Sequence, residues 1–309
     1  MNHYEVIVIG GGAAGLSAAL VLSRARRTVA VVDAGEPRNA PATHLQGFLS
    51  RDGLPPRELL AIGRSEVEAY GGQVFRNRAT DLRRTTGGFD VELADGQVLT
   101  ARRVLVATGL RDELPDLPGV RERWGRDLLH CPYCHGYEVR DQPLAVLGGS
   151  PEAVAHAQLI RQWSSDLMLF PHTDKLSDAA REALEHRGIG VIDGLVSHLV
   201  VENDILTGIA LEDGRIIART AVFVRPRFVP NTDLLEHLGC AVDSHGWVVT
   251  DATGRTSVDG VWAAGNASDV RAQLITAAGE GSRAAIALHA DLVEEDVRNA
   301  SAITRSPRP

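Results

Sequence analysis

Lysine is almost missing from this chain. Of its 32 basic residues only Lys175 is a lysine and the other 31 are arginine, a matter of codon usage rather than of mechanism. Those arginines are dispersed along the chain, and 40 acidic residues outweigh them to give a net charge of −8. A nucleic-acid-binding face needs clustered basic charge, so a nucleic-acid partner is excluded. Cysteine is scarce as well, at three residues in 309. That is too few for a disulfide scaffold, and a close pair in a reducing compartment points instead to catalysis or metal binding. No apolar run approaches the ~18 residues that span a bilayer. The opening MNHYEVIVIGGGAAG puts a strand and a glycine turn where a charged leader and its cleavage site would stand. A cytoplasmic protein with no membrane partner is expected.

What is present is ordinary for a folded protein: 44% hydrophobic and 23% charged residues. A length of 309 residues is long for one compact domain and comfortable for two. The first 33 residues read as one βαβ unit: a β-branched run over Glu5–Ile9, a glycine turn over Gly10–Gly15, helical composition over Ala13–Arg24, and a second apolar strand over Thr28–Val32. The same grammar restarts at Pro143 with LAVLGG, a helical stretch over Pro151–Trp163 and the strand DLMLF. Between the two units, strand-like runs alternate with GG and DG turns as in a β-meander, and Ile189–Phe228 repeats that character. Arg111–Gly119, with two prolines, reads as a linker, and Cys240–Trp247 as a return point. VDGVWAAGN then reads as a strand entering a turn, Gln273 to about Val297 as a long helix, and the closing SAITRSPRP as frayed. The expected fold is α/β with two Rossmann-like dinucleotide-binding domains, the second inserted into the first. The first is split between 1–114 and 246–309, and the inserted domain spans 115–245.

Gly10, Gly12 and Gly15 stand directly after a strand and before a helix, with Ala13 and Ala14 between the last two. In such a turn the first glycine permits the tight bend, the second lets the backbone approach a pyrophosphate, and the third lets helix and strand pack closely. Asp33 follows Gly15 by 18 residues at the end of the next strand, where an acid binds a ribose hydroxyl. A dinucleotide site is therefore expected at the N-terminus.

The segment Cys131-Pro-Tyr-Cys134-His135 admits four readings. CxxCH is the attachment signature of a c-type haem; CxxC also serves zinc, although no second pair follows at finger spacing; two structural cysteines are the plain alternative. The fourth is a redox dithiol, in which a helix starting at the pair holds both sulfurs on one turn and its N-terminus favours thiolate. His135 shares that face and either exchanges a thiol proton or is a surface histidine with a local hydrogen bond. His130 reads as capping or solvent-facing, and Cys240 as a small buried hydrophobe.

In order, GGGAAG at 10–15, VATG at 106–109, CPYC at 131–134 and AAGN at 263–266, running into QLITAAGEG, resemble the low-molecular-weight thioredoxin reductase family of FAD-dependent disulfide oxidoreductases. The resemblance covers essentially the whole chain. It implies that FAD is bound by the N-terminal glycine motif, by Ala107, Thr108 and Gly109, and by Gly265 and Asn266 along the ribityl–phosphate stretch. Gln273 and Leu274 would approach the flavin ring. It further implies a homodimer, a flavin-facing Cys134 and a substrate-facing Cys131, with NADPH on the inserted domain.

Several residues depart from that family's pattern. Its second dinucleotide motif is normally GxGxxA or GxGxxG, whereas here it is Gly148-Gly149-Ser150-Pro151-Glu152-Ala153. The arginine-rich segment that holds a 2′-phosphate is replaced by Phe170-Pro171-His172-Thr173-Asp174. Without bidentate donors that phosphate is poorly held, which makes NAD(P)H a doubtful cofactor. His135 stands where an acid is usual, and AAGN replaces AAGD. These departures resemble the branch of dithiol oxidases in disulfide-containing natural-product pathways, such as those for gliotoxin and the dithiolopyrrolones. That branch implies oxidation of a small-molecule dithiol with O2 as acceptor and His135 as base. Two other functions stay open: an NAD(P)H-dependent reductase of a thioredoxin-like protein or other disulfide, and a flavin-bound redox sensor without turnover.

Overall fold

The computed structural model describes residues 3–305 and divides them into two compact units with separate cores. Among the described residues, the first takes in 3–38, Arg57–Arg111 and 228–305; the second takes in Asn39–Pro56 and Asp112–Arg227.

The first unit opens with β1 (His3–Ile9), α1 (Ala13–Arg24) and β2 (Val29–Val32), followed by α2 (Pro56–Ala69) and β3 (Gln73–Phe75). Val6, Ile7, Val8 and Ile9 are all buried, so β1 is covered on both faces. A central parallel strand reads as an unbroken β-branched run for that reason. β4 (Ala79–Thr85), β5 (Gly88–Leu93) and β6 (Val98–Val106) form the meander. On β5 buried Phe89, Val91 and Leu93 alternate with partly exposed residues, the period-two pattern of a half-covered antiparallel strand. The sheet order is β3-β2-β1-β6-β5-β4, with β1 pairing in parallel to both β2 and β6.

After β7 (Leu110–Glu113) the second unit begins, with α3 (Val120–Arg123), β8 (Leu128–Leu129), α4 (Pro132–His135), β9 (Leu144–Leu147), α5 (Pro151–Ile160), β10 (Leu167–Phe170), α6 (Asp178–His186) and β11 (Gly190–Val191). β12 (Val196–Glu202), β13 (Ile205–Leu211) and β14 (Ile216–Ala218) make a three-stranded antiparallel sheet, and β15 (Ala221–Val224) completes the five-stranded sheet β11-β10-β9-β15-β8. β16 (Arg227–Pro230), which pairs with β7, leads back into the first unit. There α7 (Asp233–His237), β17 (Val261–Ala263) beside β6 and α8 (Leu274–Arg305) finish the chain. Among the described residues no helix is long and apolar enough to cross a membrane.

The division differs from the expected one in three places. The first crossing falls at 111/112 rather than 114/115, and the expected linker is in part the strand β7. The return comes at 227/228 rather than 245/246, because Leu235, Cys240 and Val248 are buried with Leu82, Val91 and Leu99 in the core of the first unit. Residues 39–56 group with the second unit, where Gln46 donates to Glu138 across 3.2 Å. α8 also runs beyond Val297 into the tail expected to fray, and Ser306–Pro309 lie outside the described residues.

Candidate active site

The first unit gathers the three distant glycine-bearing motifs around the start of α1. Gly10 donates to the Val32 carbonyl at 2.8 Å, and Ala107 donates to the Ile9 carbonyl at 2.7 Å. A Cβ on Gly10 would stand 2.3 Å from the Ala107 oxygen, and one on Gly15 would stand 1.8 Å from the Gly10 oxygen. Both positions require glycine by close approach. Gly12 differs, since among the described residues nothing but its chain neighbours lies within 4 Å of where its Cβ would be. It is the N-cap of α1, with no side chain capping the helix and no acid in the first turn. The result is an open helix N-terminus with backbone donors at Ala13, Ala14 and Gly15, the environment a pyrophosphate requires. Asp33 closes the far side: its carboxyl lies where a Cβ on Gly11 would meet it at 2.5 Å, and it accepts from Gly35 N at 3.1 Å.

Thr108 and Gly109 are clamped by a residue from the other side of the inserted unit. Asn231 donates through its side-chain amide to the Thr108 carbonyl at 3.0 Å and through its backbone to the Gly109 carbonyl at 3.0 Å, and the Thr108 hydroxyl donates to the Asn231 carbonyl at 2.7 Å. Nothing local in the sequence marked Asn231, because its partners are more than a hundred residues away. Gly265 donates to Glu280 of α8 at 2.9 Å, and burial raises that carboxyl's pKa. Asn266 donates to the Asp269 carbonyl at 2.8 Å and the Ala272 carbonyl at 3.1 Å, shaping the loop that delivers Gln273 and Leu274 to the start of α8.

In the second unit Cys131 and Cys134 are joined as a disulfide, with their Cα atoms 5.2 Å apart. The helix expected to start there is a single turn, Pro132–His135, and both Cys134 and His135 donate backbone hydrogen bonds of 3.1 Å to the Cys131 carbonyl. With so few aligned peptides the macrodipole invoked for thiolate formation is small. His135 is correspondingly important. Among the described residues neither of its buried ring nitrogens has a hydrogen-bond partner, and burial, opposed by the charge of Glu138, pushes its pKa below the ordinary value. It is a neutral imidazole at physiological pH. Tyr133, between the cysteines, is exposed and meets Trp163 edge-on at 5.6 Å. Cys240 is buried, as expected, with a thiol pKa raised by burial.

The second glycine turn has the shape of the first and a different chemistry. Ser150, in the position of Gly12, caps α5 by accepting from Ala153 N at 3.2 Å and donates to Glu152 at 2.8 Å. Gly149 donates to the Asp174 carboxylate at 2.7 Å. The stretch that would hold a 2′-phosphate does structural work instead, with His172 Nδ1 accepting from Val196 N at 3.0 Å. One carboxylate and a capping hydroxyl thus stand at the head of α5, where a second pyrophosphate would need free donors, while Asp174 lies against Gly149 as Asp33 lies against Gly11.

A family model of the pyridine nucleotide-disulphide oxidoreductases matches residues 4–281. The chain belongs to that family. It is an FAD-dependent disulfide oxidoreductase of the thioredoxin reductase-like kind, with two Rossmann-like domains. The thioredoxin reductase sirT of Leptosphaeria maculans is 32% identical over 297 residues, covering 90% of this chain and 91% of sirT. Among solved structures, the crystal structure of HlmI is 57% identical with a TM-score of 0.94, covering 97% of this chain and 95% of HlmI. That of an oxidoreductase from Agrobacterium tumefaciens is 37% identical with a TM-score of 0.88, covering 94% of this chain and 99% of its own. The open turn at Gly12, with its uncapped helix and the acid at Asp33, fits the family's FAD.

Proposed function

We propose that this enzyme oxidises a small dithiol to its disulfide, with oxygen as the final electron acceptor. The observation that carries this reading is the contrast between the two glycine turns. The first is open at Gly12; the second is filled by Ser150, with Glu152 beside it. A pyridine nucleotide phosphate brought there would face the Glu152 carboxylate and find no arginine in Phe170–Asp174. Electrons therefore enter from the thiol side.

Cys131 is the substrate-facing sulfur and Cys134 the flavin-facing one. A substrate thiolate attacks Cys131 Sγ, and Cys134 leaves as a thiolate. The second substrate thiol then displaces Cys131, so the substrate loses two electrons and two protons and the enzyme disulfide becomes a dithiol. His135, neutral because it is buried, takes the proton of the attacking thiol. Gly10, Gly12, Ala13, Ala14, Gly15, Asp33, Ala107, Thr108, Gly109, Gly265 and Asn266 hold the FAD, with Gln273 and Leu274 toward its ring. When bound, FAD supplies two-electron acceptor chemistry, with hydrogen peroxide the product from oxygen. We assign the enzyme to the cytoplasm as a homodimer.

The second reading, a pyridine-nucleotide-dependent reductase of thioredoxin or another disulfide, draws support from relatives named thioredoxin reductase. Anaerobic mixing of the holoenzyme with NADPH, NADH and then a small dithiol separates the two. The dithiol alone is expected to bleach the flavin's visible band, with air restoring the colour and forming peroxide. Fast bleaching by either nucleotide would make the enzyme a reductase. Bleaching with no steady-state oxygen or NAD(P)H consumption would leave a sensor.

A further inference from the structure

We infer that Glu280 is a positioning residue for the cofactor, acting through Gly265, whose turn it holds against the start of α1. Gly265 is buried, with a φ of +70°, and donates its main-chain N–H to Glu280 Oε2 at 2.9 Å. At the next position along α8, Gly281 lies so close to α1 that a Cβ there would stand 2.0 Å from the Ala14 oxygen. A Cβ on Gly265 would stand 2.9 Å from the Ala14 Cβ. Ala14, Gly265 and the Glu280–Gly281 step therefore meet at one place, and all of them belong to the first unit. α8 cannot slide along α1 without its backbone striking the Ala14 carbonyl, so the Glu280 carboxylate is a fixed support for the turn.

The other bonds of the turn leave its amide end to Glu280. Ala264 donates to the Val106 carbonyl at 3.1 Å, and the Gly265 carbonyl accepts from Ser268 N and Asp269 N at 2.9 Å each. Asn266 ties the loop further on, to the Asp269 and Ala272 carbonyls. The buried Gly265 N–H needs an acceptor of its own, and Glu280 supplies it. A carboxyl is a costly choice in this half-buried place: burial, together with Asp269, raises its pKa against the Gly265 N–H and Arg283. An apolar side chain would pack there without that cost, so the acid is accounted for by the bond it accepts. By drawing this N–H toward α8, Glu280 fixes the direction of the Ala264–Gly265 peptide and with it the face the turn presents beside Ala14.

This inference rests on the assignment of FAD to the Gly265–Asn266 turn in the proposed function, but not on the direction of electron flow. The test is the Kd for FAD, from the flavin retained by holoenzyme on serial dilution and ultrafiltration, together with the thermal midpoint with and without excess FAD. Glu280→Ala, a good helix former without the acceptor, is expected to bind FAD about tenfold more weakly or worse. Glu280→Gln, whose amide oxygen accepts the same bond, is expected to stay within about threefold of the parent. Excess FAD is expected to return the Glu280→Ala midpoint to the parent's. A midpoint that stays low at saturating FAD would make the role merely structural and overturn the inference, as would Glu280→Gln binding as weakly as Glu280→Ala. A parental Kd in Glu280→Ala overturns it too, and Asn266→Ala then tells why. Loss of FAD in Asn266→Ala alone leaves the turn as the cofactor site without Glu280, whereas parental binding in both removes FAD from the turn. Should Glu280→Ala fail to fold, Glu280→Met, which keeps the bulk and lacks the acceptor, must show the same weakening, and a parental Kd there overturns the inference equally.

Discussion

Gly12 and Ser150 occupy the same step of two turns built alike, and the difference is one side chain. At Gly12 the space beyond Cα is open; at Ser150 a hydroxyl fills it, caps the helix and engages Glu152. Gly12→Val should therefore cost FAD affinity rather than fold. We expect at least a tenfold weaker binding, about 1.4 kcal/mol, read from the flavin-to-protein absorbance ratio, with an unchanged circular dichroism spectrum. Full retention of flavin would separate Gly12 from the cofactor. His135 makes a second residue-scale prediction. Its pKa is lowered, so its basic form persists on the acid side of the ordinary value of 6.5. His135→Ala should thus slow dithiol turnover most at low pH, where spontaneous thiolate is scarce, by roughly a hundredfold or more. An identical pH–rate profile would reduce His135 to a packing residue.

At the level of elements, α8 is tied to the sheet of the first unit by a chain of ion pairs. Arg27 holds Glu5 at 2.5 Å and Asp296 at 2.8 Å; Arg102 holds Asp296 at 2.6 Å and Glu295 at 3.0 Å; Arg103 holds Asp291 at 2.6 Å. Burial acts to raise the Glu5 carboxyl, but the Thr28 amide and the Arg27 and Arg102 guanidiniums outweigh it and hold the pKa below 4.5. Hydrogen bonds from Arg102 and Arg27 hold Asp296 below 3.8. Both folded pKa values are depressed, so this stabilisation is present in full above the ordinary values and is lost as pH falls through the lower folded ones. Glu5→Gln should lower stability at neutral pH by ~0.5–1 kcal/mol, discounted for solvent screening, and flatten the fall of the thermal midpoint below about pH 4.5. A midpoint-against-pH curve parallel to the parent's would assign the acid sensitivity elsewhere. α2 and α6 are helices that sequence reading passed over; PRELLAIGRSEVEA and DAAREALEH carry no motif.

For the whole molecule, the two units bury separate cores, and the open dinucleotide turn belongs to the first alone. Apo-protein should unfold in two calorimetric transitions, and added FAD should raise only one of them, by about 2.7 kcal/mol at a hundredfold excess over its Kd. A single transition that moves as one would mean the units unfold together. Much of this architecture was readable along the chain. Strand, glycine turn, helix and terminal acid lie within 33 residues, and CPYCH within five, because backbone geometry and close approach impose their demands on neighbours. The point of return was read late, since α7 and Cys240 show their allegiance only through the distant strands they are buried against. The Asn231 clamp, Glu280 beneath Gly265 and Asp174 on Gly149 were out of reach for the same reason. Local sequence dictates which turns and helices form. Which side chains then face each other across them depends on contacts between residues tens to hundreds of positions apart, and only the folded chain brings those together.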